Sequence, residues 1–324
     1  MSPAVSAAMA ALLFPGQGSQ TPGMGRALVQ GGYQLALLAL AEQGGIPLQR
    51  LLVTGTAEEL RPTEVAQPAL YYTGVALAQI LLEGGLAPVA AAGHSLGEYC
   101  AVVAAGSLTA EDGMRLVLER GRLMASAPDG TMAAVLGLEL VQLEALCQQA
   151  ETDGECCVVA NDNAPGQVVV SGSRAGVERL AELARAAGAR RVLPLNVGGA
   201  FHSPLMAPAA AAFASQLDQV ELQEPGFAIV AGVTGTISNT AAEVRAGLQS
   251  QLTGPVRWVA TVKALAEVGA EAFWECGPGT TLSGLSRRIL PTAETISVDS
   301  PASAQRALAE RPAAGERAVL GGGA

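Results

Sequence analysis

The sequence has few of the residues that metal and phosphate chemistry use. Its 324 residues include only two histidines, His94 and His202, and a single lysine, Lys263. Zinc sites usually need three or four His, Cys or carboxylate ligands in a recognisable spacing, and no such pattern is present. The Gly-x-x-x-x-Gly-Lys-Ser/Thr motif is also missing. These absences argue against a multi-histidine metal site and exclude a P-loop nucleotide site.

Positive charge is scarce as well, and the cysteines show no pairing pattern. The formal net charge is −10, and lysine and arginine form no long run. Because nucleic-acid binding depends on neutralising phosphates, we expect no nucleic-acid partner. The five cysteines include one adjacent pair but no Cys-x-x-Cys spacing. An odd number without that spacing indicates a reducing compartment rather than a disulfide framework.

Long apolar runs are absent too. No segment of about 18–20 residues is free of Gly, Pro and charge, so the sequence predicts no transmembrane helix. The apolar start, Met1 to Phe14, has no Lys or Arg and leads directly into a motif typical of a folded domain. It therefore lacks the charged region of a secretory signal. We expect a cytoplasmic protein without a membrane partner.

The composition, with 50% hydrophobic and 15% charged residues, is that of a globular protein. Residues 131–197 predict the element order βαββαβ, the split βαβ of a ferredoxin-like unit, with Asn161 to Gly166 separating two of its strands. This unit interrupts a discontinuous core of residues 10–130 and 198–300. Residues 301–324, rich in Ala, Arg, Glu and Gly, predict a flexible C-terminal tail.

A Gly-x-Ser-x-Gly motif at residues 93–97 suggests a nucleophile. It follows a short apolar run and precedes a predicted helix, Leu96 to Ala105. A sharp strand-to-helix turn of this kind lifts the hydroxyl of Ser95 out of the chain, beside unpaired backbone N–H groups. The alternative interpretation is that Ser95 only caps the helix.

A nucleophilic serine needs a base, and the sequence offers two histidines. His94 is adjacent to Ser95, and neighbouring side chains diverge on a sharp turn. His202 lies between Gly198-Gly199 and Pro204, in a segment that predicts a loop at the end of a strand. Elimination therefore pairs Ser95 with His202, although a purely structural histidine stays possible. No suitable Asp is evident, so a Ser–His dyad with a backbone carbonyl orienting the imidazole is the simplest arrangement.

The motifs together resemble those of malonyl-CoA:acyl carrier protein transacylases. The resemblance covers roughly residues 10–290 and rests on a series of segments in the same order: Phe-Pro-Gly-Gln-Gly-Ser-Gln at 14–20, Gly-His-Ser-Leu-Gly-Glu-Tyr at 93–99, Arg-Gly-Arg-Leu-Met at 120–124, Asn-Ala-Pro-Gly-Gln at 163–167, Ala-Phe-His at 200–202, Gln251 with Pro-Val-Arg-Trp at 255–258, and Glu-Cys-Gly-Pro-Gly at 275–279.

This resemblance implies an α/β-hydrolase-like core with an inserted ferredoxin-like subdomain. It also implies ping-pong transfer, in which Ser95 attacks the malonyl thioester and His202 takes its proton. The backbone N–H groups of Gln17 and Leu96 would form the oxyanion hole. Gln251 matches the position whose backbone carbonyl orients the histidine.

Two further residues take a role from the resemblance. Arg120 matches the arginine that binds the malonyl carboxylate, a task that suits a planar and permanently charged guanidinium. Without the resemblance, Arg120 would be interpreted as a solvated helix cation, as we interpret Arg122. Phe201 matches a residue that narrows the pocket for malonyl, or it packs in the core; Gly199 departs from the histidine often found at its position.

The implied partners are malonyl-CoA, as substrate rather than cofactor, and a holo acyl carrier protein; we expect no cofactor and a monomer. Arg190-Arg191 and Arg287-Arg288 are candidate patches for an acidic carrier, or ordinary solvated surface. Fatty-acid and polyketide synthesis are both compatible with the motifs. A malonyl transferase subunit of a malonate decarboxylase, and a serine hydrolase or thioesterase, stay open as alternatives.

Overall fold

The computed structural model describes residues 9–152 and 154–310, and in them ten strands form two sheets. The strands are β1 (Ala10–Phe14), β2 (Pro88–Gly93), β3 (Thr131–Leu136), β4 (Cys157–Ala164), β5 (Gln167–Gly172), β6 (Arg191–Pro194), β7 (Ala228–Val230), β8 (Ile237–Ser238), β9 (Ala272–Cys276) and β10 (Glu294–Val298). The helices are α1 (Arg26–Gln30), α2 (Leu35–Gln43), α3 (Leu48–Thr54), α4 (Thr63–Glu83), α5 (Gly97–Ala104), α6 (Ala110–Ala125), α7 (Leu140–Ala150), α8 (Arg174–Ala186), α9 (Ala207–Leu217), α10 (Ala241–Ser250), α11 (Trp258–Glu267), α12 (Thr281–Ile289) and α13 (Pro301–Ala309).

The larger sheet has the order β10-β9-β1-β2-β7-β8, and all its pairs are parallel except β7 with β8. Strand β1 reads Ala-Ala-Leu-Leu-Phe and is completely buried, as is typical of a parallel strand with helices on both faces. Leu12 and Phe14 belong to one core, shared with α4, α5 and α6. Leu13 belongs to a second core on the opposite face, shared with α11 and α12.

The smaller sheet has the order β4-β5-β3-β6, with every neighbouring pair antiparallel. Helices α7 and α8 pack against it around a third apolar core. In chain order these elements are βαββαβ, so the structure confirms an α/β-hydrolase-like core with a ferredoxin-like insertion. The limits assigned to the insertion, residues 131–197, stay a prediction.

The two sheets meet where β4 passes the segment before α11. The Val256 N–H donates to the Ala160 carbonyl at 2.8 Å, and the Asp162 N–H donates to the Val256 carbonyl at 2.9 Å. The second of these contacts lies within Asn161 to Gly166, which the sequence predicted to separate two strands; β4 instead continues to Ala164. The polar side chains of this strand end are thereby held beside the larger sheet.

The predicted flexible tail, residues 301–324, is wrong in its first part. Residues Pro301–Ala309 form helix α13, which begins with the Ser300 hydroxyl accepting from the Ser303 N–H at 3.2 Å and with proline at its first position. Ala304 is buried, and the helix packs on α4 and β10. The Ser-Pro start caps this helix locally, and contacts with α4 and β10 hold it against the core. Residues 311–324 lie outside the described residues.

Helix α4 is long and apolar enough to cross a membrane by length and composition. In its most apolar window, however, 78% of the residues are buried inside the protein. Such burial is typical of a core helix in a globular protein. Tyr71 and Tyr72, both completely buried, connect α4 to the surrounding elements through their hydroxyls.

Candidate active site

The Gly-x-Ser-x-Gly motif forms a tight turn between β2, which ends at Gly93, and α5, which begins at Gly97. Ser95 has a left-handed backbone conformation, with φ 52°, which is uncommon for a residue with a side chain. A Cβ on Gly93 would lie 1.8 Å from the carbonyl carbon of Gly97, and one on Gly97 would lie 2.0 Å from the Phe14 carbonyl oxygen. Glycine is therefore a steric requirement at both positions.

Replacing Gly97 by alanine is expected to destabilise the protein by about 3 kcal/mol or more, because backbone atoms of β1 cannot give way. The matched control is Gly284→Ala, since a Cβ at Gly284 in α12 meets no atom within 4 Å. Alanine there should stabilise the protein by about 0.5–1 kcal/mol. Urea unfolding of both variants measures the difference. Equal stability of the two would contradict the steric requirement.

Ser95 and His202 lie side by side, with 2.8 Å between the serine Oγ and the histidine Nε2. The other ring nitrogen, Nδ1, lies 3.0 Å from the carbonyl oxygens of both Gln251 and Gly254. Because carbonyls only accept hydrogen bonds, Nδ1 must carry the hydrogen. The lone pair of Nε2 then faces the serine hydroxyl, which is the arrangement that a general base needs. His202 also has a left-handed backbone, with φ 58°.

The electrostatic surroundings keep His202 neutral. Burial lowers its pKa to about 3, and the nearby charge of Arg120 contributes in the same direction. Burial also lowers the pKa of His94, although its hydrogen bond to Asn163 opposes that shift. His202 is therefore unprotonated at Nε2 throughout the physiological pH range, and the Nε2 lone pair is available to the serine hydroxyl.

Because the chain has only two histidines, NMR can observe the protonation state of His202 directly. The ring signals of His202 should stay those of the Nδ1-protonated neutral form from pH 8 down to about pH 5. A His94→Gln variant assigns the two sets of signals. The unfolded histidine titrates near its ordinary pKa and therefore binds a proton that the folded His202 does not. The contribution of His202 to the free energy of unfolding should therefore decrease as the pH falls below about 6.5. A ring titration with a midpoint near 6.5 would contradict the burial argument.

Arg120 reaches the same serine from α6 and is only 1% exposed. Its Nη2 donates to the Ser95 hydroxyl at 3.1 Å and to the Gln251 Oε1 at 2.9 Å, and its Nη1 donates to the Gln67 Oε1 at 2.7 Å. The guanidinium carbon also lies 5.6 Å from the centre of the Tyr99 ring. Burial lowers the pKa of Arg120, yet guanidinium stays charged in proteins. These contacts use three of its five N–H groups.

Ser95 lines a narrow cavity of about 100 Å³. The smaller sheet contributes to its lining, since Met132 and Asn161 come from β3 and β4. Phe201 lines it and is 5% exposed, so it both narrows the cavity and packs in the core. The full lining is Gln17, Gln67, His94, Ser95, Leu96, Arg120, Met124, Met132, Asn161, Leu195, Val197, Phe201 and His202.

The remaining site residues named from the sequence also lie here. Gln17 and Leu96 line the cavity, and within the described ranges neither backbone N–H donates to a backbone carbonyl. Gln251 contacts His202 through its backbone carbonyl and Arg120 through its side chain. The structure therefore brings all seven residues together, namely Ser95, His202, Gln17, Leu96, Arg120, Phe201 and Gln251.

Other residues considered from the sequence lie elsewhere or have other contacts. The Arg122 side chain is 65% exposed and forms an ion pair with Glu119. Arg288 donates to the Pro165 carbonyl at 2.7 Å, so part of one candidate carrier patch is occupied by an internal contact. His94 is held by the Asn163 Oδ1 at 2.9 Å from its Nε2, against the Trp258 ring.

Two buried polar residues at the site, Gln67 and Glu98, were not identified in the sequence analysis. Gln67 lies inside the apolar helix α4 and carries no local signal. Glu98 is the one charged residue of helix α5, which is otherwise apolar, and that contrast is a usable signal. Across residues 9–152 and 154–310, no group of three or more His, Cys, Asp or Glu side chains could hold a metal ion.

Comparison with known proteins identifies the family. Residues 11–303 match the acyl transferase domain family. The malonyl CoA-acyl carrier protein transacylases of Bacillus subtilis and Escherichia coli are 39% and 40% identical over 305 residues, which is 92% of this chain and 96% and 98% of those proteins.

Solved structures agree. An acyl-carrier-protein S-malonyltransferase from Burkholderia pseudomallei has a TM-score of 0.87 at 37% identity, covering 93% of this chain and 99% of that one. A malonyl-transacylase solved in complex with its type II PKS acyl-carrier protein has a TM-score of 0.87 at 38% identity, covering 94% and 100%. With this agreement over nearly the whole chain, the protein belongs to the acyl transferase family and, within it, to the malonyl CoA-acyl carrier protein transacylases.

Proposed function

We propose that this protein transfers a malonyl group from malonyl-CoA to the phosphopantetheine thiol of a holo acyl carrier protein, through a malonyl ester on Ser95. The observation that carries the proposal is the position of the Ser95 hydroxyl. It lies within hydrogen-bond distance of a neutral imidazole, His202, and of a buried guanidinium, Arg120. A nucleophile, its base and a cation for a substrate carboxylate thus meet at one atom.

In the first half-reaction, the Ser95 oxygen attacks the thioester carbonyl while Nε2 of His202 takes the hydroxyl proton. The backbone N–H groups of Gln17 and Leu96 are the donors we assign to the developing oxyanion. The tetrahedral intermediate collapses by breaking the carbon–sulfur bond, and the coenzyme A thiol leaves with the proton from His202. Malonyl-Ser95 and neutral His202 remain.

In the second half-reaction, His202 takes the proton of the carrier thiol, and the sulfur attacks the ester carbonyl of malonyl-Ser95. Breaking the carbon–oxygen bond returns the proton from His202 to the Ser95 oxygen. The carbonyl oxygens of Gln251 and Gly254 hold the imidazole in one tautomer through both steps. The enzyme ends unchanged, so no further cofactor is required.

Arg120 selects the acyl group in this proposal. Malonyl differs from acetyl by a carboxylate, and a desolvated guanidinium with free N–H groups can bind that group bidentately. Phe201 closes the cavity on the acyl chain. We also propose that the enzyme acts as a cytoplasmic monomer, with residues 10–130 and 198–300 as the catalytic core and residues 131–197 as the small subdomain.

The competing activity is hydrolysis, because a thioesterase uses the same serine and histidine. The test is to acylate the enzyme with malonyl-CoA and then add water alone, an apo carrier or a holo carrier. Transfer to the holo carrier should exceed hydrolysis by at least about 100-fold, because the thiol is the better nucleophile. The mass of the carrier and the amount of free malonate measure the partition. Rapid release of malonate with an unmodified holo carrier would support a hydrolase instead.

A further inference from the structure

A buried glutamate next to the reacting residues has no role in the steps above. Glu98 lies in the first turn of α5 and is 2% exposed. Within the described residues, no Lys or Arg nitrogen lies within 4.0 Å of its carboxylate. A fully buried glutamate without a direct cation partner is unusual, because burial disfavours the charged form. The polar groups around its carboxylate therefore matter for its ionisation.

The polar partner of Glu98 is the side chain of Gln251. The Gln251 Nε2 donates to the Glu98 Oε2 at 2.6 Å and to the Ser95 carbonyl at 2.9 Å. Burial raises the pKa of Glu98 to about 7, while the hydrogen bonds from Gln251 and from the Gly232 backbone, and the charge of Arg120, lower it. Among the groups that lower this pKa and so favour the ionised carboxylate, Gln251 has the largest effect.

Gln251 also contacts both Arg120 and His202. Its Oε1 accepts from Arg120 at 2.9 Å, and its backbone carbonyl accepts from His202 at 3.0 Å. When ionised, the Glu98 carboxylate only accepts hydrogen bonds, so it requires the amide nitrogen on its side and leaves the amide oxygen for the guanidinium. A rotated amide would place its N–H groups against those of Arg120.

We propose that Glu98 is a positioning residue that holds the Gln251 amide in the orientation that Arg120 needs to bind the malonyl carboxylate. This inference rests on the proposed function and extends it to malonyl selectivity. Without Glu98, one N–H of the Gln251 amide would be buried without an acceptor, which favours rotation of the side chain. Arg120 would then lose a buried acceptor that fixes its guanidinium.

The first test is Glu98→Gln, which keeps the shape but replaces one acceptor oxygen of the carboxylate by an NH2 donor. We expect the ratio of kcat/KM for malonyl-CoA to that for acetyl-CoA to fall about tenfold, with most of the change in the malonyl KM. Acylation of Ser95 by acetyl-CoA should change less than about threefold, because acetyl has no carboxylate for Arg120.

A double-mutant cycle asks whether Glu98 acts through Gln251. Gln251→Ala removes the amide and keeps the backbone carbonyl that His202 uses. In that background, Glu98→Gln should change the malonyl-to-acetyl ratio by less than about twofold. If Glu98→Gln fails to fold, Glu98→Asp serves in the same cycle, because it keeps the charge but shortens the reach to Gln251. The same loss of selectivity is expected.

The matched control is Glu275→Gln. Glu275 is also a completely buried glutamate, but it accepts from the Leu282 and Ser283 N–H groups at 2.9 and 2.7 Å, and neither bond joins it to a residue of the site. The Glu275→Gln variant should have lower thermal stability and an unchanged selectivity ratio. An unchanged ratio in the Glu98 variants, or an equal fall with and without the Gln251 amide, would overturn the inference. A wild-type enzyme that transfers no malonyl group to a holo carrier would instead overturn the proposed function.

Discussion

Replacing Ser95 by alanine is expected to abolish the malonyl adduct and to lower the rate of transfer by about 10,000-fold or more. The physical reason is that the hydroxyl is the atom that forms the ester, and no other hydroxyl lies between the His202 Nε2 and the Arg120 Nη2 in the described site. Intact mass spectrometry after incubation with malonyl-CoA measures the adduct.

The control for this variant is Ser126→Ala. Ser126 is exposed at the end of α6, the helix that carries Arg120, and its hydroxyl donates only to the Leu123 carbonyl. It should keep the full adduct. A covalent malonyl group on Ser95→Ala, with a native melting curve, would mean that another residue is the nucleophile.

Arg120→Ala is expected to lower kcat/KM for malonyl-CoA by about 1,000-fold, because truncating a buried partner of a charge pair costs several kcal/mol. Acylation by acetyl-CoA should fall much less, so the preference between the two substrates should collapse or reverse. The cause is specific: the carboxylate is the only feature that malonyl has and acetyl lacks. Competition between the two thioesters for Ser95, read by mass, measures the change directly.

Arg122→Ala is the matched control, because Arg122 lies on the same helix but points into solvent and pairs with Glu119. It should leave the preference unchanged, since an exposed pair contributes little. Arg120→Ala also removes the donor to the buried Gln67 and Gln251 amides, so its thermal stability should be measured in parallel. A stable Arg120 variant with an undiminished malonyl preference would remove Arg120 from substrate recognition.

Local sequence rules predicted the parts of the site that depend on local geometry. The glycines around Ser95 are required by contacts within a few residues and with β1, so the turn is evident from the motif alone. His202 followed by elimination, since the chain has two histidines and one is adjacent to the serine. The βαββαβ order was likewise visible, because each of its elements has its own periodicity.

Residues whose role depends on distant contacts could not be predicted in this way. Arg120 taken alone looks like a solvated helix cation, yet contacts with α4 and with the end of α10 bury it almost completely. Gln67 is 53 residues away from Arg120 in the chain, and no local pattern relates the two. The helix at Pro301–Ala309 was missed for a similar reason, because α4 supplies the surface against which it packs.

One pulse-and-chase experiment tests the acyl-enzyme mechanism most directly. The wild-type enzyme is incubated with malonyl-CoA, freed of excess substrate and digested, and a second portion is treated with a holo acyl carrier protein before digestion. We expect a malonyl mass on the peptide containing Ser95 in the first portion, and its loss with an equal gain of malonyl on the carrier in the second. An adduct on a different peptide, or a Ser95 adduct that disappears without reaching the carrier, would contradict the mechanism.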